Sequence, residues 1–203
     1  MIGGDDNKEK NIYYDISNNS TIDHIYQSGT YTIKIKGKCE TLYFYRIKNM
    51  PDVLKKIISY GKNNIKIFNV KGCTKLISIP NEKKHFSDMS NMSEIFYDCQ
   101  LLTSIPYVFD TSNVTNMYNM FYNCRSLTTI PQLDTSNVID FIRTWENCIN
   151  LKCLTNLNTS SITNSQSNTF ENCNNLIAPD QTTRNKLMTV NDTVNWINPN
   201  ICI

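Results

Sequence analysis

Five of the eight cysteines in this 203-residue chain recur at one position of a repeat, and they are the residues best suited to chemistry. They are separated by 24–26 residues along the chain: Cys73, Cys99, Cys124, Cys148 and Cys173. Cysteines in this number can form disulfides, bind zinc or supply a catalytic nucleophile. Each possibility makes a different demand on the residues around the sulfur atom.

Catalytic and metal sites both need partner residues that the sequence does not supply. A catalytic nucleophile needs a base beside it, and the chain offers only two histidines for that role, His24 and His85. A zinc site is not indicated, because no Cys-x-x-Cys motif occurs. Asp110 and Asp134 recur at matching positions, which predicts either calcium between repeats or, more simply, carboxylates that cap turns. We predict no catalytic residue, no metal and no cofactor.

The regular spacing predicts that the five repeating cysteines stack in one column, each about 4.8 Å from the next. Neighbouring side chains in such a ladder point in parallel rather than toward each other, which disfavours disulfides. We therefore expect a structural ladder of buried thiols that pack as small hydrophobic side chains. Cys39, Cys153 and Cys202 fall outside the column, and their pairing stays open.

Each cysteine lies in a shared frame, with an apolar residue three before it, a leucine three after it and then usually Ile-Pro. Between 110 and 124 the apolar residues recur at spacings of three and four, which predicts a helical face that starts at Thr111 or Ser112. The residues at 126–130 predict a short strand that ends at Pro131. A period of this length is typical of a solenoid.

The flanking segments differ in character from the repeats. Alternating apolar and polar residues predict strands at 30–37, 40–46 and 64–70. A short helix is predicted at 52–61, between Pro51 and Gly61. Beyond residue 180, scattered apolar residues that include Trp196 predict a cover for the last repeat.

These patterns predict an α/β fold, a short right-handed leucine-rich-repeat solenoid of about four helix–strand repeats of 24–26 residues. Residues 1–63 are predicted to form a small β-rich N-terminal cap, residues 64–179 the repeats, and residues 180–203 a C-terminal cap. Stacked repeats make extended binding surfaces more readily than enclosed catalytic clefts. The expected function is therefore binding.

Charge and hydropathy exclude further classes of protein. The net charge is +2, with few charge runs, which argues against a nucleic-acid partner. No segment approaches the roughly 18 apolar residues of a membrane span. The first ten residues contain neither the apolar region of a signal peptide nor a lipid-attachment cysteine. We expect an export signal outside this sequence, or release by another route such as inside a virus particle.

Two sets of residues are predicted to face outward, either as candidate contacts with a partner or as ordinary solvated surface. The first, the hydroxyl face, follows each repeat leucine and comprises Ile77, Ser78, Thr103, Ser104, Thr128, Thr129 and Lys152. The second, the tyrosine patch, comprises Tyr97, Tyr118 and Tyr122. Aromatic residues are enriched at protein interfaces, so the tyrosine patch is a candidate alongside the hydroxyl face.

The run Phe-Asp-Thr-Ser-Asn-Val-Thr-Asn-Met-Tyr-Asn-Met-Phe-Tyr-Asn-Cys-Arg-Ser-Leu at 109–127 resembles the BspA-type leucine-rich repeat. The likeness is good at 87–106 and 133–151 and weaker at 157–176, while 64–80 carries the closing half of the repeat. Residues 22–37 resemble the last strands of a polycystic-kidney-disease-type β-sandwich.

The BspA-like family comprises surface adhesins of bacteria and some protists and virion proteins of phages of gut bacteria. The resemblance implies a non-enzymatic recognition or adhesion module on a cell or virion surface, which binds a protein or glycan partner through the solenoid face. The alternative is a structural virion component, such as a phage decoration, head-fibre or tail-fibre subunit, that packs against neighbouring virion subunits. We expect a virion rather than a cell surface, because no signal peptide is visible in this chain.

Overall fold

The computed structural model describes residues 10–15, 31–36, 41–44, 54–57, 59, 67–81, 88–106, 109–154, 157–177 and 181–188. Its regular elements are strands β1 (Lys10–Asp15), β2 (Tyr31–Lys36), β3 (Thr41–Tyr43) and β4 (Ile67–Asn69), and helix α1 (Gln181–Leu187). β1 pairs with β2 and β3 pairs with β4, both in parallel. Strands β2, β3 and β4 lie within three segments that the sequence predicts to be strands. The parallel pairing of β2 with β1 differs from that of a β-sandwich, which is built from antiparallel strands.

The predicted α/β solenoid of helix–strand repeats is wrong. From residue 88 to residue 177, the described residues form neither an α-helix nor a strand longer than a single β-bridge, and the backbone is a succession of turns. The helix predicted at 52–61 is not found in the described part of that segment either. Residues 54–57 contain no helical residue, and Lys56 forms a parallel bridge with Ser78.

The repeat units of Cys99, Cys124, Cys148 and Cys173 are turns because two positions in each of them have a left-handed backbone. Before Cys99, for example, the Cys99 N–H donates to the Phe96 carbonyl at 3.1 Å, and Asp98 between them has a φ of 59°. A turn closed in this way with a positive φ at its third residue follows the type II pattern. The positive-φ positions lie one and five residues before each of the last four column cysteines: Glu94, Asp98, Asn119, Asn123, Arg143, Asn147, Asn168 and Asn172. Before Cys73, Gly72 alone has a positive φ, and the position five residues before it lies in β4.

The left-handed positions also turn alternate backbone N–H groups toward the next unit. The Phe96 N–H donates to the Met120 carbonyl at 3.0 Å, and the Phe121 N–H donates to the Thr144 carbonyl at 2.8 Å. The same positions of successive units are thereby joined in parallel. A helix satisfies these groups within itself, whereas each unit here depends on the following unit for half of them.

The core lies inside the units and repeats with them. The leucine three residues after each cysteine is fully buried in every unit: Leu76, Leu102, Leu127, Leu151 and Leu176. Aromatic residues form a second column, in which Phe96 stacks on Phe121 and Trp145 stacks on Phe170, with ring centroids 5.4 Å apart in both pairs. Stacked aromatic rings contribute about 0.5–1.5 kcal/mol beyond their burial.

The stack of units begins earlier than the first repeating cysteine. Thr41 in β3 pairs with Ile67 in β4, and the Ile77 N–H donates to the Lys55 carbonyl at 2.8 Å. The described residues between 41 and 57 therefore lie beside the unit of Cys73 as the later units lie beside one another. This segment lacks the cysteine frame, and the repeat pattern alone does not reveal it.

Near the other end of the stack, a side chain substitutes for a backbone acceptor. The Met117 N–H donates to the Asp140 carbonyl, but the equivalent Phe141 N–H donates to Oε1 of the buried Gln166 at 2.7 Å. Helix α1 then places Leu187 in the core, and Lys186 Nζ donates to the Thr159 carbonyl at 2.9 Å. Residues 189–203, which include Trp196, lie outside the described part of the chain.

The left-handed backbone conformation can be tested at Asn147. This residue has a φ of 63° and accepts a hydrogen bond from Asn172 Nδ2. Asn147→Ala and Asn147→Gly both remove this side-chain bond, but only alanine places a Cβ in the left-handed region. We expect Asn147→Ala to be about 1 kcal/mol less stable than Asn147→Gly in chemical denaturation. Equal stability of the two variants would contradict the assigned turn geometry.

Candidate functional site

The five repeating cysteines are buried thiols, and their sulfur atoms have a structural task. Cys124 Sγ donates to the Phe96 carbonyl of the preceding unit at 3.1 Å, and that carbonyl also accepts the Cys99 N–H. The equivalent bonds run from Cys99 to Val70, from Cys148 to Phe121 and from Cys173 to Trp145, at 2.9–3.2 Å. Cysteine combines a small buried volume with a weak donor.

Burial also makes these thiols unsuitable as nucleophiles. Desolvation raises the pKa of Cys173 to about 12 and raises the pKa of Cys99, Cys124 and Cys148 well above the usual value of a thiol. A reactive cysteine requires the thiolate, which desolvation disfavours here. The column therefore stabilises the core and offers no reactive group at neutral pH.

The hydroxyl face is brought together as two adjacent rows. In the first row the Thr103 N–H donates to the Ile77 carbonyl, the Thr128 N–H to the Thr103 carbonyl and the Lys152 N–H to the Thr128 carbonyl, at 3.1–3.4 Å. In the second row, Ser104 forms a parallel bridge with Thr129. The structure thus aligns these residues through single bridges in place of the predicted strands.

Most side chains of the hydroxyl face are accessible. Ile77 is 48% exposed, and Thr103, Ser104, Thr129 and Lys152 are exposed, while Ser78 and Thr128 are half-buried. The hydroxyls of Thr103 and Thr128 lie 3.5 and 3.4 Å from carbonyls of the preceding units. These contacts are longer than ordinary hydroxyl hydrogen bonds, so they bind the hydroxyls weakly.

Two residues of the tyrosine patch are in contact. The Tyr97 and Tyr122 rings stack with centroids 4.8 Å apart. Lys71 Nζ lies over the Tyr97 ring, 4.8 Å from its centroid, and pairs with Glu94 at 2.7 Å. Burial, with smaller contributions from Tyr122 and Asp98, raises the pKa of Tyr97. Tyr118 is half-buried and lies at another position of its unit, six residues before the cysteine rather than two.

Asp110 and Asp134 cap turns. Asp134 Oδ1 accepts the Ser136 N–H at 3.0 Å and the Ser136 hydroxyl at 2.7 Å, and both bonds lower the pKa of the Asp134 carboxyl. Asp110 accepts the same two bonds from Ser112. Within the described part of the chain, no three histidine, cysteine or acidic residues are grouped as a metal site requires.

Cys153 differs from the column cysteines because it is disulfide-bonded. It is half-buried and forms a bridge with Thr129, so the disulfide lies beside the second row of the hydroxyl face. Cys39 and Cys202 lie outside the described residues.

Sequence reasoning missed two residues that extend the hydroxyl face. Ile77 follows Lys55 in the first row, and Ser78 pairs with Lys56 in the second. Both lysines are exposed. Their segment was predicted as a helix, and no repeat frame marks it, so their place beside the face becomes visible only in the folded chain.

A comparison with protein families assigns the chain. The family described as "Mycoplasma protein of unknown function, DUF285" matches residues 82–183, half of the sequence. The chain belongs to this family. The description of the DUF285 family names neither a function nor the BspA-type repeat, so the latter resemblance stays a prediction. No curated protein and no solved structure matches the chain.

No helix among the described residues is long and apolar enough to cross a bilayer.

The thiol-to-carbonyl bonds predict that Cys124→Ala destabilises the protein. The variant removes a buried sulfur and the donor to Phe96, so we expect a loss of about 1–2 kcal/mol in the free energy of unfolding. Thr129→Ala, an exposed change in the same unit, serves as the control and should stay within about 0.5 kcal/mol of the parent in the same denaturation experiment. An unchanged Cys124→Ala would refute the structural role.

The raised thiol pKa values predict alkaline destabilisation. In the folded protein Cys99, Cys124, Cys148 and Cys173 keep their protons above pH 9.0, where the thiols of the unfolded chain lose theirs. Their contribution to stability is therefore fully present below that pH and falls as the pH rises toward the native pKa values. Each thiol contributes a slope of up to about 1.4 kcal/mol per pH unit. Chemical denaturation at several pH values should reveal this dependence of the free energy of unfolding on pH. Cys124→Ala should reduce the slope by the contribution of one thiol. Parallel slopes for variant and parent would contradict this.

Proposed function

We propose that this DUF285 protein is a non-enzymatic recognition module of a cell or virion surface, which binds a protein or glycan partner through the hydroxyl face. The observation that carries this proposal is the alignment of equivalent exposed positions across successive units. Ile77, Thr103, Thr128 and Lys152 follow one another in a single hydrogen-bonded row. A partner can therefore contact several units with one continuous surface.

The rigidity of this surface favours binding. Each residue of the row is held by a backbone hydrogen bond to the preceding unit, and the leucine beside it is fully buried. A surface that is ordered before binding loses little conformational entropy when the partner arrives. The short side chains of serine and threonine also lose little rotamer freedom, so the cost of ordering the contact residues is low.

The chemistry of the described residues supports binding over catalysis. The column thiols are buried with raised pKa values, and the carboxylates of Asp110 and Asp134 already accept two hydrogen bonds each. A catalytic site needs a nucleophile or base that can reach a substrate.

The location at a surface is supported by the disulfide of Cys153. Disulfides form and persist in oxidising environments outside the cytosol. The five column thiols remain compatible with such an environment, because they lie in the core, where oxidants have little access.

The proposal predicts that bulky neutral side chains on the face weaken binding strongly. Ser104→Tyr combined with Thr129→Tyr should reduce binding of the labelled protein to a glycan array and to intact bacterial and animal cells at least about tenfold, since two positions of the face are blocked. The matched control is Ile139→Tyr with Thr163→Tyr, two exposed positions about half a unit away from the face.

Equal binding by the face variant and the parent would refute the use of this face. A protein found only inside particles, at fixed stoichiometry and with the hydroxyl face covered by a neighbouring subunit, would favour the structural alternative over recognition.

A further inference from the structure

The hydroxyl face is bordered by lysines that have no acidic partner within the described part of the chain. Lys55 and Lys56 lie at one end of the two rows. Lys152 lies near the other end, where only the Ile177 N–H of the described residues follows it in the first row, and Lys75 lies beside Leu76 in the unit of Cys73. All four are exposed. By contrast, Lys71 pairs with Glu94 and Arg143 pairs with Glu146 elsewhere in the stack.

No acidic residue occurs in the described stretches that build this side of the stack. These stretches are 54–57, 74–79, 100–105, 125–130, 149–154 and 174–177. The described acidic residues of the units lie at other positions: Asp88, Glu94, Asp98, Asp110, Asp134, Asp140, Glu146 and Glu171. The units therefore separate their charges, with unpaired cations on one side and carboxylates on the others.

Arg125 marks the border between the two sides. Its Nε donates to Asn123 Oδ1 at 2.7 Å, and Asn123 Nδ2 in turn donates to Asp98. Gln100 Nε2 donates to the same Asp98 oxygen at 2.9 Å. The Asp98 carboxylate is thus hydrogen-bonded to two amides and forms no ion pair with the four lysines of the face.

The lysines are spread along the face rather than concentrated at one point. Lys55 and Lys152 belong to the same row and are four units apart, which corresponds to roughly 19 Å at the usual distance between neighbouring strands. Between them lie the hydroxyls of Thr103, Thr128 and their neighbours in the second row. The surface is long, narrow, cationic and rich in hydroxyl groups.

We infer that the hydroxyl face binds a linear acidic polysaccharide, and this inference rests on the proposed recognition function. The lysine ammonium groups pair with carboxylate or sulfate groups along the polymer. The serine and threonine hydroxyls, which both donate and accept hydrogen bonds, bind the sugar hydroxyls between the charges. A polymer that lies along the rows contacts several units at once.

Other polyanions fit this surface less well. Single-stranded nucleic acids are bound by aromatic stacking, and the described residues of the rows include no aromatic side chain. Acidic proteins are held by central Tyr, Trp or Arg anchors, which the rows also lack. The exposed Ile77, Leu101 and Ile149 come from different positions of different units, so they do not form the continuous apolar patch that suits a membrane.

The decisive measurement is the affinity for alginate, a polyuronate, with heparin as the sulfated polymer and neutral dextran as the uncharged control. We expect binding to alginate or heparin that weakens as salt is added, and none to dextran. Lys55→Gln combined with Lys152→Gln removes two positive charges and should weaken binding about tenfold at low salt. Ile139→Glu with Thr163→Glu changes the net charge equally, away from the face, and should change the affinity less than twofold.

The other outcomes separate the two proposals. Salt-sensitive binding to polyglutamate, to single-stranded DNA or to phosphatidylserine vesicles, without binding to alginate or heparin, would overturn the acidic polysaccharide and leave recognition by this face intact. Equal loss of affinity in both double variants would assign the effect to net charge and would also overturn the inference. If the protein binds none of these probes, and the variant with Ser104→Tyr and Thr129→Tyr binds cells as well as the parent, both proposals are wrong.

Discussion

The hydrogen bonds between neighbouring units are the interaction on which the rest of this structure depends. Left-handed residues one and five positions before each of the last four column cysteines close the turns and direct alternate N–H groups to the next unit. A single unit would leave these polar groups without backbone partners, and buried unpaired groups each cost about 1–3 kcal/mol. The units are therefore stable only as a stack, and the stack sets the position of every exposed row.

The cysteine column follows from the same constraint. Stacking brings the carbonyl three residues before one cysteine within reach of the sulfur of the next, as Phe96 and Cys124 show. A larger side chain would not fit beside the fully buried leucines, and an alanine would lose the donor. The feature that first suggests reactivity is thus part of the core, and the outward-facing rows carry the chemistry of recognition.

The sequence predicted burial better than conformation. Apolar residues at spacings of three and four, such as Met117, Phe121 and Cys124, occupy the inside of successive turns as readily as one face of a helix, so periodicity alone does not distinguish the two. The signal for turns was the residue before each cysteine, which is glycine, aspartate or asparagine throughout. These types tolerate a positive φ. Arg143 and Glu94 adopt it without such a signal.

The sequence by itself determined the register, because the repeated frame fixes which side chains share the core and which point outward. Thr103 and Thr128 could be placed on one face for that reason. Only the tertiary structure decided the conformation of the units and the separation of their charges. The net charge of +2 is a sum over the whole chain and does not show where the charges lie. Lys55 and Lys152 lie on the same face because backbone hydrogen bonds join segments that are far apart in sequence. Spacing within one repeat contains no information about those neighbours.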